Sequence, residues 1–552
     1  MTMNTCYPRA VYHLAVHRAW IWAGVVALNL GGAMAAAPTA TSSTGPVLAP
    51  IVTTLRVVAQ ASVPDLQCAS VPRAATSAAA VEQDPREIPD DEEVQAALKD
   101  ATANPSTPLS GVPPLAGALG RARPGEPYRV AIWGDSHLAA GFFTQELTKI
   151  LKLAPEQVRA GFLPASMNRP GVRLPLRKSC VSPQWRYESA HAHAVSAAAP
   201  GPGLVNLFST QAGATMGWDL RNAAGLAETR QVRLLYQQTA QPVQVAVSVD
   251  GAPEVEVVLS GPPGPGVLEL LADNPLSVVQ LRLVAGEFRL QGLALPVPSQ
   301  TAVQMDVFGF PGATAAGFKA AGTDYLSAWF AQTPYQLVMM QFGTNEGNAK
   351  PFDAAAYQTT LREAVQSLRQ VFPQAACVLI APGDRGVLVR RSEKVKRALR
   401  NARFAAEKKA GKSAAHSAAS GKSKSKSKGK GKEKDSARGR SLVESAPTQN
   451  PAPAGLESGQ SPPARNLLQY TRIHEEIGQI QTAVAQHYGC SVWSMLQAMG
   501  GQGGAYRWAR QTPPLMARDL IHFTVPGYQF LAQQFAQDMG WDAKALGWVT
   551  PP

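Results

Sequence analysis

Cysteine is scarce in this chain, with five in 552 residues, and no CxxC, HExxH or cluster of His and Cys stands at metal-ligand spacing. That excludes the common zinc and redox motifs and predicts a protein without a metal or organic cofactor. Long hydrophobic runs are also missing. The apolar run near the N-terminus, Ala19 to Leu30, is well short of the roughly 18 to 20 residues that cross a bilayer, so no transmembrane segment is expected. The GxSxG signature of a nucleophile elbow is absent, which argues against an α/β-hydrolase of that kind. Nor is there a dispersed basic charge. The formal net charge is +13, but residues 390–440 hold 19 Lys and Arg against four acids, a net of +15, which leaves the rest of the chain at −2. A nucleic-acid-binding protein spreads Lys and Arg over a folded face, so no nucleic-acid partner is expected.

What is present divides the chain. Arg9 and Arg18, the Ala19–Leu30 run and small residues at Ala33 and Ala35 have the layout of a secretory signal peptide over residues 1–36, so the mature protein is expected to be periplasmic or secreted. Residues 37–125 are rich in Ala, Pro, Ser and Thr and read as a linker with one helical stretch, Asp91 to Ala101. Cys68 and Cys180 lie in loose segments and are candidates to pair, whereas Cys377 and Cys490 sit in apolar strand-like runs and read as buried thiols. Residues 405–465, with the run KSKSKSKGKGK, repel themselves and bury nothing. This insertion is expected to be disordered and suited to electrostatic contact with an anionic envelope.

Two textures fill the remainder. The β-favouring runs QVRLLYQQ, PVQVAVSVDG, EVEVVLSG, VVQLRLVAG and FRLQGLALPV occupy residues 165–300 and predict an inserted β-sandwich, jelly-roll-like, with a hairpin at its Asp-Gly. Around it, over 126–164, 301–404 and 466–552, strand and helix alternate. YRVAIW, QMDVFGF, YQLVMMQF, ACVLIAP and GCSVW read as strands. Ala354 to Val371, LLQYTRIHEEIGQIQTAVAQHYG and VPGYQFLAQQFAQDM read as helices. The alternation predicts an α/β fold, a five-stranded parallel sheet with helices on both faces in three layers.

Four short motifs sit where such a sheet places its ligand sites, beyond the carboxyl ends of strands. Ser136, in WGDSH, follows the first strand. A serine hydroxyl attacks only if a base takes its proton and a third group fixes that base's tautomer. Asp519 and His522, three apart in RDLIHFTVPGY, suit those roles, although Asp519 or Thr524 also reads as a plain cap for the last helix. A developing oxyanion needs donors. Asn345 in FGTNEGN offers a side-chain amide, and Gly312 in FGFPGATAAG a backbone N–H with no Cβ in the way. Each alone is an ordinary turn residue. His137 is expected to hold the turn or line the cleft, and no role is expected for His191, His193 or His487.

Taken together and in this order, GDS, Gly-x-x-Gly-x-Thr, GTNE and DxxH resemble the SGNH hydrolases, also called the GDSL esterases. The resemblance covers about 200 residues in three pieces and implies Ser136, Asp519 and His522 as the catalytic triad, with Gly312, Asn345 and the Ser136 N–H as the oxyanion hole. Glu346 stands where the family has Asp, at a position not catalytic there. With a β-domain inserted after the first helix and an export signal, the chain looks like the bacterial peptidoglycan O-acetylesterases, whose insert resembles a carbohydrate-binding domain. That implies an O-acetylesterase acting on an acylated polysaccharide. A polysaccharide O-acetyltransferase with the same residues, or an envelope-binding protein with an inactive core, are the alternatives. In the insert, Trp185, Tyr187, Trp218 and Tyr236 are candidates either to stack on sugar rings or to fill the sandwich core.

Overall fold

A computed structural model describes residues 48–60, 63–68, 86–101, 118–123, 125–191, 199–391 and 467–547, with isolated positions between 397 and 408. The expected signal peptide, His193 and almost all of the 405–465 insertion lie outside the described residues.

The strands of the α/β core are apolar on both faces, and this decides how they pack. In β1 (Tyr128–Gly134), Val130 and Ile132 join one buried cluster with Leu138, Phe143 and Phe535, while Ala131 and Trp133 join another with Phe318, Trp329 and Leu361. Helices therefore cover both faces, giving three layers. With β2 (Val158–Arg159), β3 (Val303–Gly309), β4 (Leu337–Gln341), β5 (Ala376–Ala381) and β6 (Ser491–Ser494), the sheet runs β6-β5-β4-β1-β3-β2, all parallel. It has six strands rather than the expected five. The additional one, β2, is a two-residue edge pairing with Val303 and Gln304, too short for any hydrophobic period to announce it.

The helices α2 (Ala354–Val371), α3 (Gln469–Tyr488) and α4 (Val525–Met539) follow the expected periodic runs. Their starts are capped by side chains where polar residues stand: Asp353 Oδ1 accepts from Ala356 N at 2.9 Å, and Thr524 Oγ1 from Gly527 N at 3.2 Å. Thr524, not Asp519, is thus the cap of α4, which leaves Asp519 for other work. Behind Ser136 the chain forms not one helix but two. Ser136–Ala139 forms one turn, Gly141 takes φ +72°, and α1 (Phe142–Ile150) begins anew.

The insert is built of two sheets. One orders Ile51–Arg56, Gly264–Leu271, Gln231–Gln238, Phe288–Ala294, Val205–Ser209 and Arg186–Ser189, with Phe162–Pro164 also on Phe288–Ala294. The other orders Val255–Leu259, Val243–Val249, Val278–Ala285, Thr215–Asp219 and Lys178–Val181. Leu234, Leu268 and Leu290 of the first share a core with Trp218, Val245 and Leu281 of the second. The Asp250-Gly251 hairpin is present, both residues at positive φ. Two expectations change here. The insert begins at Phe162 rather than residue 165, and the segment read as a linker is partly folded. Ile51–Arg56 pairs in parallel with Gly264–Leu271, Leu66 is buried, and Val94 and Ala97 of the Asp91–Ala101 helix enter the α/β core. A partner some 200 residues away is invisible to a local reading.

The cysteines also differ from expectation. Cys68–Cys180 is a disulfide, but so is Cys377–Cys490, with its Cα atoms 4.6 Å apart. The two residues precede Val378 and Ser491, which are opposite one another in the parallel pairing of β5 with β6, so strand register sets the thiols side by side. Buried thiols they are not.

Candidate active site

Three neighbouring strands at the middle of the sheet, β4, β1 and β3, end at the same edge. Their carboxyl ends carry Asn345, Ser136 and Gly312. Asp135 caps the turn that follows β1, its Oδ1 accepting from His137 N at 2.8 Å, and Ser136 becomes the first residue of that helical turn. The Ser136 N–H is then one of the first-turn donors that a helix cannot pair internally.

The loop before α4 brings the other partners. His522 Nε2 lies 3.0 Å from Ser136 Oγ, and His522 Nδ1 lies 2.7 Å from Asp519 Oδ2. The second oxygen of Asp519 accepts from the backbone N–H of Ile521 and of His522, both at 3.0 Å, so the carboxylate organises the turn that presents the ring. That turn needs Leu520 at φ +56°, an unfavourable conformation for a side chain with a Cβ, and Leu520 holds it while fully buried. Burial pulls the His522 pKa down, but the hydrogen bond and charge of Asp519, with the charge of Asp135, outweigh it and lift the ring above its ordinary value of about 6.5. For Asp519 burial acts upward and is outweighed by the His522 bond and charge and the two backbone N–H groups, so its carboxyl stays below the usual carboxylate range.

On the opposite side, Gly312 takes φ +86°, a backbone shape that favours glycine, and a Cβ there would meet nothing within 4 Å. Asn345 Nδ2 donates to Ala313 O at 2.9 Å. That bond uses one amide hydrogen, fastens the Asn345 side chain to the Gly312 turn and leaves the second hydrogen for an incoming oxygen. The five residues named from the sequence thereby fall into two bonded groups, Ser136–His522–Asp519 and Asn345 with the Gly312 turn, at the carboxyl ends of neighbouring strands.

Glu346, named from the sequence only as non-catalytic, has a role that was not foreseen. Glu346 Oε1 accepts from Ala315 N at 2.9 Å and Oε2 from Gly343 N at 3.0 Å, so one carboxyl ties the Gly312 turn to the exit of β4. Burial pushes its pKa up to about 7 against those two bonds. The signal was its place one residue after Asn345, which a reading by family pattern passed over. His137 is buried with Nδ1 3.2 Å from Tyr528 Oη, and burial holds its pKa down to about 3, so it stays neutral and braces the turn against α4. His191 is buried as well, its Nδ1 2.7 Å from Thr314 O, where it joins the insert to the Gly312 turn. His487 is exposed at the end of α3. Trp185, Trp218 and Tyr236 lie in the sandwich core, at most 7% exposed, and present no face to a sugar; large aromatic area is better hidden there. Tyr187 is half-buried and bonded through its hydroxyl to Met167 O. Among the described residues no group of three or more His, Cys, Asp and Glu is placed to hold a metal ion, and no helix is long and apolar enough to cross a membrane.

No family model matches the chain, and no curated protein matches it. Solved structures similar to it include a peptidoglycan O-acetylesterase, 18% identical, covering 79% of this chain and 97% of that one at a TM-score of 0.48. Others are a lipase/acylhydrolase from Enterococcus faecalis (14% identical, 43% and 77% covered, TM-score 0.22) and a family two carbohydrate esterase from Clostridium thermocellum (9%, 65% and 99%, TM-score 0.22). At these values the likenesses are too distant to carry an activity across, and the chemistry has to come from the residues themselves.

Proposed function

We propose that this chain is an exported serine esterase of the SGNH type that removes O-acetyl groups from a cell-envelope polysaccharide, peptidoglycan. The observation that carries the reading is the unbroken relay from Ser136 Oγ to His522 Nε2 at 3.0 Å and from His522 Nδ1 to Asp519 Oδ2 at 2.7 Å. Ser136 Oγ attacks the acyl carbonyl as its proton passes to His522, and Asp519 holds the ring and balances the imidazolium. The Gly312 and Ser136 N–H groups and the free Asn345 amide hydrogen receive the oxyanion, each donor contributing a few kcal/mol in sites of this kind. The sugar alcohol leaves with the proton from His522. Water, deprotonated by the same ring, then releases acetate and restores Ser136.

Export is supported by the N-terminal layout and by two disulfides, which persist in oxidising compartments. The polymer class rests on the resemblance of the motif order and inserted β-domain to peptidoglycan O-acetylesterases, and the insert packs on the catalytic core: Trp133 Nε1 donates to Pro202 O at 2.8 Å, and buried Asp306 Oδ1 accepts from Gly161 and Phe162 N at 2.7 and 2.9 Å. Acetate release from O-acetylated peptidoglycan, O-acetylated xylan and p-nitrophenyl acetate tests the reading. We expect the highest kcat/KM on peptidoglycan and none of the three cleaved by Ser136→Ala. A preference for xylan would overturn the polymer assignment, and ester cleavage by pure Ser136→Ala would overturn the mechanism.

A further inference from the structure

Arg385 follows β5 in the run Pro382–Val387, at the same sheet edge as Ser136. Its neighbour Gly386 donates its N–H to Leu520 O at 3.0 Å, so this loop is bonded to the turn that carries Asp519 and His522. The loop is also held from behind, since buried Asp384 accepts from Thr471 Oγ1 at 2.6 Å and from Ala505 N at 2.9 Å. On that fixed backbone the guanidinium lies over the Tyr470 ring, 4.1 Å from its centroid, and Lys350, from the loop after β4, sits over the same ring at 5.6 Å. Two cations therefore converge on one aromatic beside the catalytic turn.

The guanidinium is short of partners. Arg385 Nε and Nη1 are buried and meet no acceptor among the described residues. Asp519, an acid whose charge acts on Arg385, has one oxygen on His522 Nδ1 and the other on two backbone N–H groups. A cation partly withdrawn from water with no anion bonded to it is costly, and leaving two of its donors unpaired adds to that cost. Such a group persists where a ligand completes it. Arg suits a carboxylate because its planar fork makes charge-assisted bonds, and stacking on the Tyr470 ring helps fix the direction in which the fork points.

We propose that Arg385, with Tyr470 and Lys350, forms a subsite for a carboxylate carried by the acylated sugar, so that the site selects acidic over neutral glycans. This deepens the esterase reading and rests on it. In peptidoglycan the muramic acid residue bears a lactyl carboxyl, either free or as the root of a peptide with carboxylates of its own. Neutral acetylated glycans have none.

The test measures competitive inhibition of p-nitrophenyl acetate hydrolysis by N-acetylmuramic acid, by its methyl ester and by N-acetylglucosamine. We expect the acid to bind the wild type about tenfold or more tightly than either neutral probe, the range of one charge-assisted hydrogen bond. Arg385→Gln should abolish that preference, and Arg385→Lys should keep part of it. Melting temperatures of both variants establish that they are folded. Equal inhibition by acid and methyl ester in the wild type, or a preference that survives in folded Arg385→Gln, would overturn the subsite. Because the probes are not cleaved, the result is independent of the polymer: a wild type that ignores O-acetylated peptidoglycan but keeps the acid-over-ester preference loses the polymer assignment and retains the subsite.

Discussion

Both parts of the molecule bury carboxylates, and they differ in the one that lies beside the nucleophile. In the sandwich, Asp219 is gripped by Arg221, with Nε to Oδ1 at 2.8 Å and a second bond from Nη2 to Oδ2 at 2.6 Å. Asp250 accepts from Ser277 and Val278 N at 3.0 and 2.7 Å. In the α/β core, Asp135 is fully buried directly before the nucleophile. Its Oδ2 meets no donor among the described residues, and burial pushes its pKa up to about 6. His474 Nε2 and Arg385 Nε and Nη1 are orphaned in the same part of the molecule. Polar groups buried without partners cost about 1–3 kcal/mol each. The core pairs its more distant acids, Asp306 and Asp384, as fully as the sandwich does, so the shortage at Asp135 is confined to the place where a reacting group arrives. The sandwich is built for cohesion and the α/β edge for chemistry.

The strongest way to break that contrast is at the nucleophile. Ser136→Ala should cut kcat/KM on any ester by at least ~10³-fold with an unchanged melting temperature, and His522→Ala by a similar factor, because the pair acts as a unit. Substantial activity in either purified variant would move the chemistry elsewhere. Asp519→Asn comes next, at about 10²- to 10⁴-fold, and it has a signature of its own. The base must be neutral, so the rate falls as pH drops through the folded His522 pKa, which Asp519 holds above the ordinary value. Removing that carboxylate takes away the lifting charge, and the acid limb of the pH–rate profile should move to lower pH. A limb that stays in place would mean that Asp519 orients His522 without tuning it.

The sequence was most legible where a pattern is local. Near-continuous apolar runs announced β1, β3, β4, β5 and β6, and 3.6-residue periods announced α2 and α4, because strands buried on both faces and one-sided helices write themselves into neighbouring residues. The Ser136, Gly312, Asn345 and Asp519–His522 motifs were legible for the same reason, each being a short turn at a strand or helix end. What stayed hidden is long-range. Ile51–Arg56 is a strand only because Gly264–Leu271 lies beside it, Cys377 meets Cys490 only through strand register, and Arg385 matters only because Gly386 is bonded to Leu520. Gly141 did carry a local signal, a glycine ending the first turn after Ser136, which the apolar spacing on either side of it masked.

A smaller effect sharpens the comparison from the sandwich side. Trp218 is fully buried between the two sheets and touches no catalytic group. Trp218→Ala should cost about 3–5 kcal/mol, a fall of roughly 10 °C in melting temperature, with turnover per folded molecule on p-nitrophenyl acetate maintained. The insert shares buried contacts with the core, since Leu235 and Val267 of the sandwich pack in one cluster with Trp133 and Phe330. Circular dichroism and activity should therefore be lost together on heating. Two separate transitions would show that the insert folds on its own and that cohesion is not shared.

The least effect is expected from removing residues 405–464. Their composition, rich in Lys, Ser, Gly and Ala, offers little apolar surface to bury. The chain on either side returns to one place: Tyr506 Oη accepts from Val387 N at 2.7 Å and donates to Leu467 O at 2.9 Å, so the two flanks meet at a single hydroxyl. Cys377 and Cys490 lock β5 to β6 across the same interval. A deletion closed by the remaining flanks thus asks for no rearrangement of the sheet, and the cost of closing a loop changes only slowly with its length. Melting temperature should move by no more than about 2 °C and kcat on p-nitrophenyl acetate by less than about twofold, since a surface change away from packed groups is worth about 0.5 kcal/mol. What should change is attachment to anionic envelope polymers, measured by co-sedimentation at rising salt, because the deleted block carries much of the chain's positive charge and its attraction is screened within about 10 Å at 0.1 M salt. A drop of 5 °C or more on deletion would show that the block is packed against the folded protein, and binding to the polymer that neither salt nor deletion alters would take the electrostatic role away from it.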